Sequence, residues 1–437
     1  MVKLLQQVQF KTVRRALTGS DYFAFLFGAL SPYYIVLIGR LHFVEILAPA
    51  ILILWHKRLN LLLIPQLKAI IVLGTIWLFG QIISDLIVGN SINDELRGWS
   101  AIVVFIFLVC ALAVLLASKT RRIYLLLFGM AAGGLIKQFI EPSIFFSAAP
   151  WKFGFGPPVA LLAVVAVAWK HESRMRLPRV WLIPIVALGG LSFLLSARSL
   201  GAVLILTALV SALVLGPART QSNTKKSIMR HSIIIMLSVS AAFLMVSGYK
   251  YAASNGILGI HAEEEYTIDS SGKAGLLIGG RIELIPALHA IIDSPIIGHG
   301  SWAKDPTLQY RNYLWSLYNL GYKIPISELD FDMQQNLIPS HSTILQAWVW
   351  AGIAGAIFWF YILALMVKSG LQVLNTDCQL QIVAIFLLIW RSWDFLFSPF
   401  GSDMRFQWAV SIIIFLSVTG AFKRPVSILP RDTTDVE

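Results

Sequence analysis

Of the 437 residues, 57% are Ala, Val, Ile, Leu, Met, Phe, Trp, Tyr or Cys and only 13% are Asp, Glu, Lys or Arg; the mean hydropathy is +0.74. So few charges cannot cover the surface of two or three water-soluble domains, which excludes an ordinary soluble enzyme and points to a polytopic membrane protein. The formal charge of +12 is scattered in short pieces between apolar runs, and residues 249–341 carry ten acidic side chains against six Lys and Arg, so no basic domain for nucleic acid is present.

A membrane-crossing helix needs roughly 20 apolar residues to span about 30 Å of hydrocarbon. Runs near 21–39, 42–56, 67–87, 98–117, 122–139, 154–170, 179–195, 199–215 and 229–248 meet that pattern, and so do 343–367, 378–393 and 403–421. The expected fold is an all-α polytopic membrane protein, a bundle of about 12 transmembrane helices. Nine fall in 1–248 and three in 342–421, with a large periplasmic loop at 249–341 between helices 9 and 10 and a cytoplasmic tail at 422–437. The first run lacks a small-residue cleavage site and reads as a retained helix. Basic residues recur in alternate short loops: Lys57 with Arg58, Lys119 with Arg121 and Arg122, Lys170 to Arg179, Arg219 to Arg230, and Lys423 with Arg424. That alternation predicts a multi-pass membrane protein with both termini cytoplasmic.

Inside the loop, AEEEYTIDSSGKAG reads as exposed coil and GGRIELIPALHAIIDSPI as an amphipathic helix, whose start or straightness Pro286 limits. Gly298-His299-Gly300 reads as a turn, and a second helix is expected at 308–319. The two cysteines, Cys110 and Cys378, lie in or beside apolar segments, which leaves no disulfide framework or thiolate cluster.

Charges at the ends of apolar runs are the candidates for chemistry, because lipid burial is costly unless they pair or face water. Arg198, in LSARSLG, could hold an anion with its guanidinium fork or simply snorkel to the interface. Arg281 follows Gly279-Gly280 at a helix start, where free amides favour an anion, although pairing with Glu283 is an equal alternative. His341 stands just before an apolar helix, and an imidazole there can take a proton from an attacking hydroxyl or can be a hydrogen-bonded helix end. Arg391, about a turn from Asp394, and Arg405 could contact substrate or pair with acids in the bundle, and Glu45 and Lys137 also fall at outer ends. His299 and Trp302 of the turn could touch a sugar, Trp302 by stacking; belt placement explains the other tryptophans. Asp330 and Asp332 lack a regular metal-ligand spacing.

Four stretches together resemble the family of bacterial O-antigen ligases and polysaccharide-repeat polymerases: Ser-Ala-Arg-Ser-Leu-Gly at 196–201, GGR with its helix at 279–288, SPIIGHGSW at 294–302, and PSHSTILQAWVWAGIAGAIFW at 339–359. The resemblance implies glycosyl transfer on the periplasmic side from an undecaprenyl-diphosphate-linked glycan donor to a glycan or lipid-linked acceptor, without metal or other cofactor. It also implies that Arg198 and Arg281 clamp the diphosphate while His341 activates the acceptor hydroxyl. A chain-length regulator and a flippase of the same pathway would be partners. The implied activity is polymerisation of oligosaccharide repeats for exopolysaccharide or O-antigen. The alternatives are an O-antigen ligase that delivers the glycan to lipid A core, and a transporter of lipid-linked oligosaccharide. The family often has Asn after the histidine, where this chain has Ser342.

Overall fold

The computed structural model describes residues 17–37, 39–117, 119–142, 145–147, 149–173, 178–215, 243–257, 284–319 and 336–423, with a few positions between 236 and 267. The chain begins with α1 (Gly19–Ala29), a two-stranded antiparallel hairpin of β1 (Tyr34–Val36) and β2 (Arg40–His42), and α2 (Phe43–Leu54). Next come α3 (Pro65–Val88), α4 (Ile92–Leu116), α5 (Thr120–Ile140), α6 (Gly156–Ser173), α7 (Ile183–Leu194) and α8 (Arg198–Val214). Beyond residue 283 stand α9 (Leu284–Asp293), α10 (Gln309–Asn319), α11 (Thr343–Asn375), α12 (Gln381–Phe397) and α13 (Ser402–Val418).

The expected bundle of about 12 transmembrane helices is corrected here. Among the described residues, five helical segments are long and apolar enough to cross a membrane: α3, α4, α5, Trp151–Glu172 and α11. A sixth is added if α2 and the 3-10 turn His56–Leu63, bent from it by 100°, count as one span. Apolar runs overstate helix length because a turn inside the run leaves hydropathy unchanged. The run at 21–39 is helical only to Ala29 before turning at Ser31-Pro32 into the hairpin, so the protein is not purely α-helical. Helices α8, α12 and α13 have 17 residues each, about 26 Å at 1.5 Å per residue.

The section between α8 and α11 is also more than a connecting loop. Ala287, Ala290 and Ile291 of α9 share a buried cluster with Ala303, Tyr310, Ile338 and Val349, so α9 and α10 are packed onto the start of α11. Helix α9 is described from Leu284 and carries Pro286 on its buried side, and α10 begins one residue inside the expected 308–319.

The C-terminal helices pack around a buried aromatic cluster. Trp359 is fully buried, with its ring 4.9 Å from Trp408, 5.3 Å from Phe400, 5.4 Å from Phe358 and 6.0 Å from Trp77. Such edge-to-face contacts add to the burial that holds α3, α11 and α13 together.

The hairpin is fixed by charge. Arg405 at the start of α13 donates to Glu45 from Nε at 2.6 Å and from Nη2 at 2.9 Å, and Nη2 also reaches the Arg40 carbonyl at 2.8 Å. Glu45 in turn accepts from the backbone N–H of His42 at 2.7 Å. Both charges are buried, so removing one leaves the other unpaired in an apolar setting. Glu45→Ala is therefore expected to lower stability by about 3–5 kcal/mol, measured by chemical unfolding in detergent micelles, and a loss below about 1 kcal/mol, the range of an exposed pair, would contradict this.

Candidate functional site

The helices run between two ends with different chemistry. At one end, Arg58 donates to the carbonyls of Val114 and Ala117, and Arg122 pairs with buried Asp21 at 3.3 Å. Thr120 bonds Gln379, Glu172 accepts from Leu380 N–H, and His171, Arg179, Leu215 and Ile382 line one cavity of about 10 Å³. The basic groups of three sequence-distant connections thus meet at one end, together with the connection that carries Gln379 and Leu380. Because Leu215, at the C-terminus of α8, and Ile382, near the N-terminus of α12, both lie there, the other termini of these helices lie at the opposite end.

At that opposite end stands His341. Ser342, the next residue, caps α11 by accepting from Leu345 N–H at 3.4 Å and donates to the carbonyl of Phe395 at 3.0 Å. Thr343 donates to the carbonyls of Asp394 at 3.1 Å and Ser398 at 2.8 Å. The backbone directly after His341 is thereby anchored to the last turn of α12, and Ser342 has a structural task of its own. Nδ1 of His341 is buried without a hydrogen-bond partner, so one ring nitrogen is uncommitted.

Arg391 and Asp394 share the same turns of α12. They pair at 2.6 Å and are nearly inaccessible to solvent; Arg391 also donates to Gln407 Oε1 at 3.0 Å, and Asp394 accepts from Ser398 Oγ at 2.9 Å. The pair lies by the α12 turn to which Thr343 is bonded, and Arg391 is engaged inside the bundle rather than presented to a ligand. Arg405 is likewise committed to Glu45.

Arg198 opens α8 two residues after Ser196, a non-glycine residue with φ 57°. The turn is tight: a Cβ on Gly201 would stand 2.7 Å from the Phe193 ring and 2.9 Å from the Gly189 carbonyl, which accounts for the glycine of the SARSLG stretch. The half-buried guanidinium lies 4.8 Å from the ring of Tyr249. Arg281, Asp330 and Asp332 lie outside the described residues.

His299 and Trp302 have structural partners. The imidazole Nε2 of His299 faces the Ala290 carbonyl at 2.8 Å, and Trp302 is covered on one face by the Arg97 guanidinium at 3.8 Å. Arg97 and Lys304 both approach Asp94, at 3.8 and 2.8 Å. Burial and the neighbouring Asp293 push the phenol of Tyr310, which donates to Asp293 at 2.9 Å, above its usual range.

The residue that sequence reasoning missed is Asp85. Fully buried near the end of α3, it accepts from Ser301 N–H at 2.5 Å, Ser301 Oγ at 2.8 Å, Asn90 Nδ2 at 2.8 Å and Trp99 Nε1 at 2.6 Å. The Gly298–Ser301 turn is held on its other side by α11: His299 N–H donates to the Val349 carbonyl at 2.7 Å and Gly300 N–H to the Trp350 carbonyl at 3.0 Å. Those carbonyls are free because α11 breaks at Gly352, whose φ of 58° and ψ of −148° are open essentially to glycine alone. The signal was available: an acid closing an apolar run, followed by Gly-Asn, is a charge that must find donors.

No protein family, curated protein or solved structure matches this chain.

Asp85→Ala is expected to release the turn while the membrane helices persist. Loss of a charge-assisted bond worth about 1.5–3 kcal/mol should speed hydrogen exchange at the Ser301 amide about tenfold to a hundredfold, and an unchanged exchange rate would contradict the latch.

Proposed function

We propose that the chain is a membrane glycosyltransferase that polymerises undecaprenyl-diphosphate-linked oligosaccharide repeats for exopolysaccharide or O-antigen. The observation that carries the reading is His341: an imidazole with one uncommitted buried nitrogen, on a backbone anchored by Ser342 and Thr343, at the end that also bears Arg198. In the proposed reaction the acceptor hydroxyl attacks the anomeric carbon of the donor. The new glycosidic C–O bond forms as the bond to the diphosphate breaks, the hydroxyl proton passes to His341, and the leaving diphosphate carries away the bonding pair. Arg198 and Arg281 would stabilise its growing charge by bidentate hydrogen bonding, and no metal is required for these steps.

Orientation belongs to the same proposal. The gathering of Arg58, Arg122 and Arg179 at one end supports a cytoplasmic location for that end, which is also where α1 begins and α13 finishes, since Asp21 meets Arg122 and Ser369 Oγ, late in α11, donates to the Phe415 carbonyl. The segment around α9 and α10 would then be periplasmic in a bacterial inner membrane. A cysteine replacing Thr307, in a chain lacking Cys110 and Cys378, is expected to react with an impermeant maleimide from the periplasmic side. Labelling only after disruption of the inner membrane would reverse the orientation.

The activity is tested by mass analysis of lipid-linked glycans in a deletion strain complemented with wild-type or His341→Ala protein. Single-repeat undecaprenyl diphosphate should accumulate in the deletion strain and remain with the variant, whose membrane insertion is unaffected. Full-length lipid-linked polymer with unmodified lipid A core would instead assign the ligase reaction, and full rescue by His341→Ala would remove His341 from the chemistry.

A further inference from the structure

Helix α9 has three faces, and two are occupied. Pro286, Ala287, Ala290 and Ile291 face the packed cluster against α11. On the flank toward α10, His289 stacks on Tyr313 at 3.7 Å with 3° between the rings, and Asp293 accepts from Tyr310. The third face is an apolar line at helical spacing, Leu288 and Ile292, continued by Ile296 just past the helix; these are 48%, 71% and 72% exposed.

That line does not stop at the end of α9. The carbonyl of Ile296 accepts from Ile353 N–H at 3.2 Å, and Ile353, Ile357 and Phe360 form the exposed apolar stripe of α11, one of the helices long and apolar enough to cross a membrane. Trp348 closes the join: its indole N–H donates to the Pro295 carbonyl at 2.9 Å and its ring lies 5.9 Å from Phe360. An indole tied to a carbonyl beside an exposed aliphatic stripe is the chemistry of the water–lipid boundary.

We infer that α9 is an interfacial helix that lies in the plane of the bilayer surface, with Leu288, Ile292 and Ile296 buried among lipid acyl chains in continuation of the α11 stripe. The occupant follows from that continuity, since the α11 stripe can face only hydrocarbon once the helix spans a membrane. Ten residues of helix give about 15 Å of anchored length, which would fix the height of the segment above the bundle. The inference depends on the chain being membrane-embedded and not on glycosyl transfer.

The test uses the full chain lacking Cys110 and Cys378, with single cysteines at 288, 292 or 296, an environment-sensitive nitrobenzoxadiazole label, and reconstitution into phosphatidylcholine–phosphatidylglycerol vesicles. Cysteines at Ile357 and Thr307 serve as the lipid-facing and water-facing references. Labels at 288, 292 and 296 are expected to shift their emission to the blue as the label at 357 does. They should lose intensity to nitroxide lipids labelled near the headgroup and resist iodide. Iodide quenching of 288 and 292 at the level of 307 would mean that α9 stands away from the surface, and protection from both quenchers would mean that protein covers the stripe. Either result overturns the inference.

Discussion

A helix that breaks inside an apolar bundle frees peptide groups that water cannot reach, and each must find a partner within the protein. In this chain the break is at Gly352, and the freed carbonyls of Val349 and Trp350 are taken by amides of the Gly298–Ser301 turn. The fit is close in both directions: a Cβ on Gly352 would stand 2.0 Å from the Ile296 carbonyl, and one on Gly298 would stand 2.6 Å from the Gly352 nitrogen. Asp85 then satisfies the turn from below. Through these contacts, helices α9 and α10 are fixed to the membrane-crossing α11 and α3 instead of hanging from flexible linkers, and the entry to α11, where His341 stands, inherits that rigidity.

Three pairs of opposite charge stand inside the described bundle. Glu45 with Arg405, Asp21 with Arg122, and Arg391 with Asp394 are mutual partners whose cost of burial is offset by short contacts. Such pairs give the bundle register, since each can close in only one arrangement. His341, with an uncommitted ring nitrogen, and Arg198, beside Tyr249 at the α7–α8 turn, lie outside those three pairs. Their position at the end away from the basic connections gives the proposed transfer a physical setting, a polar boundary at the end of an apolar bundle where a lipid-linked substrate can present its charged head.

Much of this was legible in the sequence, and the failures have definite causes. Hydropathy marked runs that are helical in part, but it overcounted the spans, since five or six of the described helices are long and apolar enough to cross a membrane where twelve were expected. It could not see the turn at Ser31-Pro32 or the hairpin at Tyr34–His42, because Ile35, Val36 and Leu41 are as apolar as the helix before them. It could not rank Arg391 and Arg405 below Arg198 either: a charge in an apolar run reads the same whether its partner is a ligand or Glu45, 360 positions away in the chain. Asp85 went unread for the converse reason, since its donors come from Asn90, Trp99 and a turn more than 200 residues downstream.

The most direct test of the account is transfer by the purified protein in vesicles containing a synthetic polyprenyl-diphosphate-linked oligosaccharide, followed by mass detection of elongated product and released polyprenyl diphosphate, with no nucleotide sugar and with a chelator present. The account predicts elongation by the wild-type chain and none by His341→Ala. Equal product from both proteins would contradict it, and so would intact donor with the wild-type chain.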